Sequence, residues 1–316
     1  MYSSSSLSPL ERHLSHLDEY LSDAMISEIS INKPGLVFIE KNGSTSSHHN
    51  SALTFEYLTD LSIFLGNYNK KPINSDCPHF SGVMPGGHRI QIVIPPVTES
   101  GIIAMSIRKQ ICPNFGLNEL HNKGMFDKIN PDHYSIEKLH KAVSEKRNIL
   151  ISGGTGTGKT TFMNALIREI PADERLVVIE DTREISTSHI NQVFLTASTE
   201  RDRNHGMLKN LESALRLRPD RILVGEVRGE EAAMLLEAIA TGHDGAICTL
   251  HAPTPQLALT RLAIMAERGG MRHQTRAELV DYIYTIIDMV IQLKRTPTGH
   301  RYVSDIFTCK EEKNEI

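Results

Sequence analysis

Tryptophan is absent from this 316-residue chain, and aromatic residues make up only 5% of it. A surface that stacks nucleic-acid bases needs such rings, so their scarcity argues against one. No apolar run approaches the ~18 residues that mark a membrane-spanning helix. The start, MYSSSSLSPLERHL, has neither the basic nor the apolar stretch of a secretory signal. Charge of one sign is not in excess. With 34 Lys and Arg against 38 Asp and Glu, the formal net charge is −4, so nothing suggests a polyanion-binding surface over the whole molecule. Cys77, Cys112, Cys248 and Cys309 lie far apart without metal-ligand spacing and read as ordinary reduced thiols. These deficits describe a soluble intracellular protein, and 40% apolar residues supply a core for one large domain or two ordinary ones.

The two halves of the chain differ in texture. In the first, ERHLSHLDEYLSDAMISEISI spaces Leu14, Leu17, Leu21 and Met25 at helical intervals before a strand at EISI. NKPG makes a turn, LVFIEKNG a second strand, the polar STSSHHNS a loop and TFEYLTDLSIFLGNY an amphipathic helix. GVMPGGHRIQIVIPP reads as two strands around a Pro-Gly-Gly turn, and GIIAMSIRKQ as another strand. This mixture predicts a smaller α+β N-terminal domain over 1–110, followed by a linker with one short helix over 111–134. From Ile136 onward the apolar runs NILISG, RLVVIED, RILVGEV and GAICTLHA alternate with helical segments at 136–146, 159–169, 207–216, 229–241 and 255–267. Short continuous apolar strands between helices predict an α/β domain over 135–316, with a mainly parallel sheet covered on both faces. HRYVSDIFTC reads as a terminal strand.

The strongest motif is ILISGGTGTGKTTF, in which Gly153, Gly158, Lys159 and Thr160 stand at phosphate-loop spacing after a strand and before a helix. Gly153, Gly154, Thr155, Gly156, Thr157 and Gly158 let the backbone turn its N–H groups onto a phosphate, and the helix N-terminus adds partial positive charge. Lys159 reaches the β- and γ-phosphates of ATP, the Thr160 hydroxyl binds Mg²⁺, and Thr161 can donate to the α-phosphate. This makes the second domain a P-loop domain, expected to be RecA-like.

In such a sheet the ligand lies outside the carboxyl ends of the strands. Two apolar strands end there in Glu180-Asp181 and in Gly225-Glu226. One carboxylate should serve the Mg²⁺ hydration shell and the other the attacking water. Glu180 reads as the general base and Glu226 as the metal-side group acting through water, with Asp181 a further metal-side candidate. The pattern leaves an exchange of the two glutamate roles open. Arg218, Arg221, Arg228 and His243 are candidates for sensing the γ-phosphate or stabilising transition-state charge, against ion pairing with nearby carboxylates. ICTLHAP ends the next strand on His251, a candidate γ-phosphate sensor as a neutral hydrogen-bond donor, supported by Thr249 on the same strand face.

GGTGTGKTT, IEDTRE, LRLRPDRILVGEVRGEEA and TGHDGAICTLHA together resemble the Walker A, Asp box, Walker B and His box of the secretion ATPase superfamily. SEISINKPGLVFIE, GVMPGGHRIQIVIPP and SIRK resemble the N-terminal domain of its VirB11/TrbB-type members, and the similarity runs from about Leu10 to Phe307. EDTRE stands where pilus motors more often carry EDPIE. The resemblance implies an ATPase that forms a homohexameric ring and acts peripherally at the cytoplasmic face of the bacterial inner membrane. It further implies work with other secretion-system ATPases and inner-membrane components in type IV secretion or conjugative transfer. Arg89 and Arg108 match the family's N-terminal arginines that reach the nucleotide. Alternatives are a type IV pilus or type II secretion motor, a RecA-like nucleic-acid translocase, and a nucleotide-gated scaffold with negligible turnover. The charge balance and the lack of Trp disfavour nucleic acid as a direct tight ligand.

Overall fold

The computed structural model describes residues 9–41, 43–109, 115–129, 135–197, 206–272 and 275–309. The chain divides into two compact units, Met1–Ile111 and Cys112–Ile316. Among the described residues no helix is long and apolar enough to cross a membrane.

The first unit is built on an antiparallel sheet of β1 (Ile26–Lys33), β2 (Leu36–Lys41), β3 (Ser44–His49), β4 (His79–Val83), β5 (Arg89–Val93) and β6 (Ala104–Arg108), in the order β3-β2-β1-β6-β5-β4. Ile29, Ile31, Val37, Ile92 and Ile107 alternate onto one face and form a core with Leu58, Leu61 and Leu65. Those leucines lie on α3 (Phe55–Tyr68), which Thr54 caps by accepting from the Tyr57 amide at 3.1 Å. The amino-terminal helix is not continuous. It comprises α1 (Pro9–His13), a 3₁₀ turn at Leu14–Leu17, and α2 (Asp18–Ser22). The tighter turn eclipses residues three apart, and Leu14 and Leu17 both enter the core; Met25, in the turn after α2, is 51% exposed.

One expectation fails here. STSSHHNS is not a loop over Ser44–His49; it is the outer strand β3, paired with β2 from Leu36↔His49 to Lys41↔Ser44. All six residues are exposed. An edge strand with both faces in water needs no apolar alternation, so main-chain hydrogen bonds alone define it and the side-chain pattern cannot reveal it.

The second unit holds the sheet β13-β12-β7-β11-β10-β8-β9. Its strands are β7 (Ile149–Gly153), β8 (Leu176–Glu180), β9 (Gln192–Thr196), β10 (Arg221–Val224), β11 (Ile247–Leu250), β12 (Met289–Arg295) and β13 (Arg301–Thr308). Neighbours run parallel except β12 and β13. Successive residues of a strand point to opposite faces, so each strand feeds two cores. Leu150, Val177, Ile179, Ile222 and Cys248 meet α7 (Met207–Arg216), α8 (Glu231–Ala240), α9 (Pro255–Arg268) and α10 (Arg276–Ile286). Ile149, Ile151, Val178, Leu223 and Ile247 meet α4 (Leu117–Asn122), α5 (Ile136–Ser144) and α6 (Lys159–Ile167). Part of the stretch read as a linker belongs to this second core. Leu117, Leu120, Met125, Phe126 and Ile129 are buried in it, and Phe126 packs edge-on against Phe162 with ring centroids 6.0 Å apart. Residues 111–114 and 130–134 lie outside the described residues. β9, α10 and β12 are not among the elements predicted from the sequence, although QVFLT and MVIQL carry the apolar runs of the two strands.

Candidate functional site

The sheet order places the carboxyl ends of β7, β11, β10 and β8 side by side. Each ends in a residue with chemistry to offer. β7 runs into the phosphate loop, where Gly156 (φ +71°) and Gly158 (φ +91°) take the left-handed conformation that glycine alone adopts freely. A Cβ on Gly153 would stand 2.7 Å from the Leu293 carbonyl oxygen, so that position is closed to any side chain. Thr157 steadies the turn by donating to the Gly154 carbonyl at 2.9 Å.

Lys159, at the first position of α6, is buried. Its ammonium donates to the carbonyls of Gly153 and Gly154, each at 3.1 Å, and approaches His251 Nδ1 at 3.3 Å. An ammonium has no lone pair to offer, so Nδ1 accepts and the ring proton resides on Nε2. Nε2 faces Glu226 Oε1 at 3.2 Å. Burial first, and then the charge of Lys159, hold the His251 pKa below the ordinary value, which keeps the imidazole neutral. The other oxygen of Glu226 accepts from Arg228 Nη2 at 2.7 Å, and Arg228 Nη1 donates to Asp181 at 2.6 Å. Bonding to Glu226 raises the Arg228 pKa further. A single chain of polar contacts thus runs Lys159–His251–Glu226–Arg228–Asp181.

Glu180 sits one strand further along and is 3% exposed. Its Oε2 accepts from the amides of Glu184 and Ile185, both at 2.9 Å. Burial pushes its carboxyl up to about 7, against the opposing pull of those amides and of Arg183. Gly225 leaves the room for it: a Cβ there would lie 3.0 Å from Glu180 Cβ. The loop after Glu180 folds back on α6, where Thr160 donates to Glu184 Oε2 at 3.1 Å. Asn164 fastens that loop from the same helix, donating to the Glu184 carbonyl at 3.3 Å and accepting from the Ser186 amide at 3.1 Å.

Three candidates do not come to this place. Arg221 begins β10, Arg218 precedes it and His243 precedes β11, so all three stand at the amino edge of a parallel sheet. Arg221 is fully buried and bonds Glu174 through Nε at 2.6 Å and Nη2 at 3.1 Å. His243 Nδ1 donates to the Ala238 carbonyl at 3.1 Å, and Arg218 is exposed. Thr249 donates to the Gly225 carbonyl at 2.6 Å, which ties β11 to the turn carrying Glu226. Arg89 and Arg108, in the first unit, are cross-strand partners on β5 and β6. Thr155 and Gly154 are exposed on the loop, and Thr161 is partly exposed on α6. Motif reading passed over Glu184, although IEDTRE contains it, and it passed over Ser152 and Gln292. The last two are buried and both donate to the carbonyl of Ala252, at 3.2 and 3.1 Å, restraining the residue that follows His251.

A family model described as type II/IV secretion system protein matches residues 12–303. The VirB11 type IV secretion system protein of Bartonella quintana is 35% identical, across 93% of this chain and 91% of its own. The chain belongs to the VirB11-type ATPases of the type II/IV secretion family. The PtlH homolog of Bordetella bronchiseptica is 34% identical, across 93% of this chain and 94% of that protein. The crystal structure of the VirB11 ATPase from the Brucella suis type IV secretion system, in complex with sulphate, superposes with a TM-score of 0.51. It is 31% identical and covers 97% of this chain and 99% of that one. Membership makes ATP the nucleotide. The site suits it: the loop carries an ammonium bonded to carbonyls that phosphate oxygens can replace, and glycines where side chains would block the cradle.

The VirB11-type site yields two predictions. Arg221→Ala strands the Glu174 carboxylate near Lys146 alone, and should cost on the order of 3 kcal/mol of stability. At a temperature where the variant stays folded, its ATP hydrolysis should match wild type, because the pair lies at the far edge of the sheet; loss of turnover without loss of stability would contradict this. The Glu180 carboxyl titrates near 7 when folded, against a reference of 4.5. The folded state therefore binds the proton more tightly, and this group's contribution to stability declines as pH rises between those values. Glu180→Gln escapes the decline, so its melting midpoint relative to wild type should rise from about pH 5 to about pH 8. A constant offset would rule out the raised pKa.

Proposed function

We propose that this chain hydrolyses ATP to ADP and phosphate to drive a type IV secretion or conjugative transfer apparatus, as a homohexameric ring at the cytoplasmic face of the inner membrane. The resemblance to VirB11 and PtlH over nearly the whole chain supports the apparatus. The hydrogen-bonded chain from Lys159 to Glu226 is the observation that supports the chemistry. Lys159 exchanges carbonyl partners for β- and γ-phosphate oxygens. His251, whose single ring proton is on Nε2, can then turn that N–H from Glu226 to a γ-phosphate oxygen.

Glu226 is the better placed base. It reaches Lys159 through one side chain and is partly exposed, whereas Glu180 is enclosed. Geometry takes precedence over a favourable pKa when the two point to different carboxylates. In this reading the base role first assigned to Glu180 passes to Glu226, and the metal-side role first given to Glu226 passes to Glu184, which bonds Thr160. Glu226 takes a proton from water as the water oxygen bonds the γ-phosphorus and the bond to the bridging oxygen of ADP breaks. Arg228 holds Glu226 and Asp181 in place, and Glu180 shapes the 184–186 loop against α6. Mg²⁺ would be held by the Thr160 hydroxyl and Glu184, whose side chains bond each other at 3.1 Å, with Asp181 a further candidate, and would supply neutralisation of phosphate charge. Arg89 and Arg108 are proposed, on the family resemblance, as further nucleotide ligands.

Phosphate release by the purified protein tests this reading. Lys159→Ala should abolish it. Glu226→Gln should bind ATP yet lose about 100-fold or more in kcat, and Glu180→Gln less than about tenfold. The reverse order would return the base role to Glu180, and wild-type turnover in Lys159→Ala would refute the site.

A further inference from the structure

The hairpin of β12 and β13 sets Arg295 directly opposite Arg301. Like charges in that relation repel, so their placement calls for a purpose. Both side chains lie against the phosphate loop. Arg301 Nε donates to the Gly156 carbonyl at 3.0 Å, and its Cδ stands 3.2 Å from where a Cβ on Gly158 would be. Arg295 Nη1 stands 3.2 Å from the equivalent point on Gly156. The loop at this point is glycine-rich, and a peptide beside glycine flips easily because no side chain resists the change. A flipped peptide would offer a carbonyl oxygen to phosphate in place of an N–H.

In a trans peptide the C=O and the next N–H point in opposite directions. A donor that holds the Gly156 carbonyl toward the hairpin therefore turns the Thr157 amide away from it. We propose that Arg301 is a positioning residue for the phosphate loop, fixing the 156–157 peptide with its N–H available to the β-phosphate of bound nucleotide. The proposal rests on the reading of this loop as the ATP site. It makes the carboxyl-terminal hairpin, remote in sequence from the motif, part of nucleotide binding. ATP and ADP share the β-phosphate, so both should feel the loss equally.

Titration of the full chain with ATP and with ADP tests it. Arg301→Ala should raise Kd about five- to tenfold for both nucleotides. Arg301→Lys, which keeps a cationic donor, should recover part of that affinity. The loss should persist at about 0.5 M salt, where a purely long-range charge effect is screened. Arg301 is exposed, so its truncation leaves no cavity and the melting midpoint without nucleotide should hold. Unchanged affinity, a loss that vanishes at high salt, or a matching fall in the melting midpoint would overturn the proposal. Failure of the site reading looks different: wild type would bind neither nucleotide, or Lys159→Ala would bind ATP as wild type does.

Discussion

A buried ammonium must have acceptors whether or not a phosphate is present, and the rest of the site follows from how Lys159 meets that requirement. It bonds two loop carbonyls and the lone pair of His251. The contact with His251 settles which nitrogen of the imidazole carries the proton, and that proton faces Glu226. Arg228 compensates the charge of Glu226 and passes on to Asp181. Formal charges then alternate along the row, with a neutral histidine as spacer between the first cation and the first anion. Arrival of a polyphosphate disturbs one end of the row by drawing Lys159 away, and the disturbance reaches the base candidate through a single side chain.

The row exists because the strand order sets β7, β11, β10 and β8 next to one another with parallel direction. Parallel pairing collects every strand end at one edge, and buried strands on both faces keep that edge rigid. A second line of polar contacts supports the first. Ser152 on β7 and Gln292 on β12 converge on the carbonyl of Ala252 and restrain the residue that follows His251. The opposite edge is used for stability, through the enclosed pair of Arg221 and Glu174.

The apolar runs made β7, β8, β10 and β11 legible, since strands buried on both faces need continuous apolar sequence. The same rule hid β3, whose residues Ser44–His49 are all in water. The phosphate loop, Glu180, Glu226 and His251 were legible because each ends a recognisable strand. Arg221 was ambiguous, because an arginine in an apolar strand gives no sign of which sheet edge it occupies until strand direction is known. Ser152, Gln292, Asn164 and Arg301 were illegible for a common reason. Each acts on a main-chain group brought near by folding, and for Arg301 the separation is 145 residues. Backbone carbonyls have no letter in a sequence.

The most direct measurement of the account is the protonation of His251, followed by nitrogen-detected NMR of histidine-labelled protein with His251→Gln to assign the signal. Without nucleotide, His251 should titrate below the ordinary histidine value and carry its proton on Nε2. With ATP bound to the Glu226→Gln protein, the Nδ1 signal should move as Lys159 leaves it. A His251 that carries its proton on Nδ1 in the nucleotide-free protein, or titrates at or above the ordinary value, would contradict the chain from Lys159 to Glu226 on which the proposed mechanism depends.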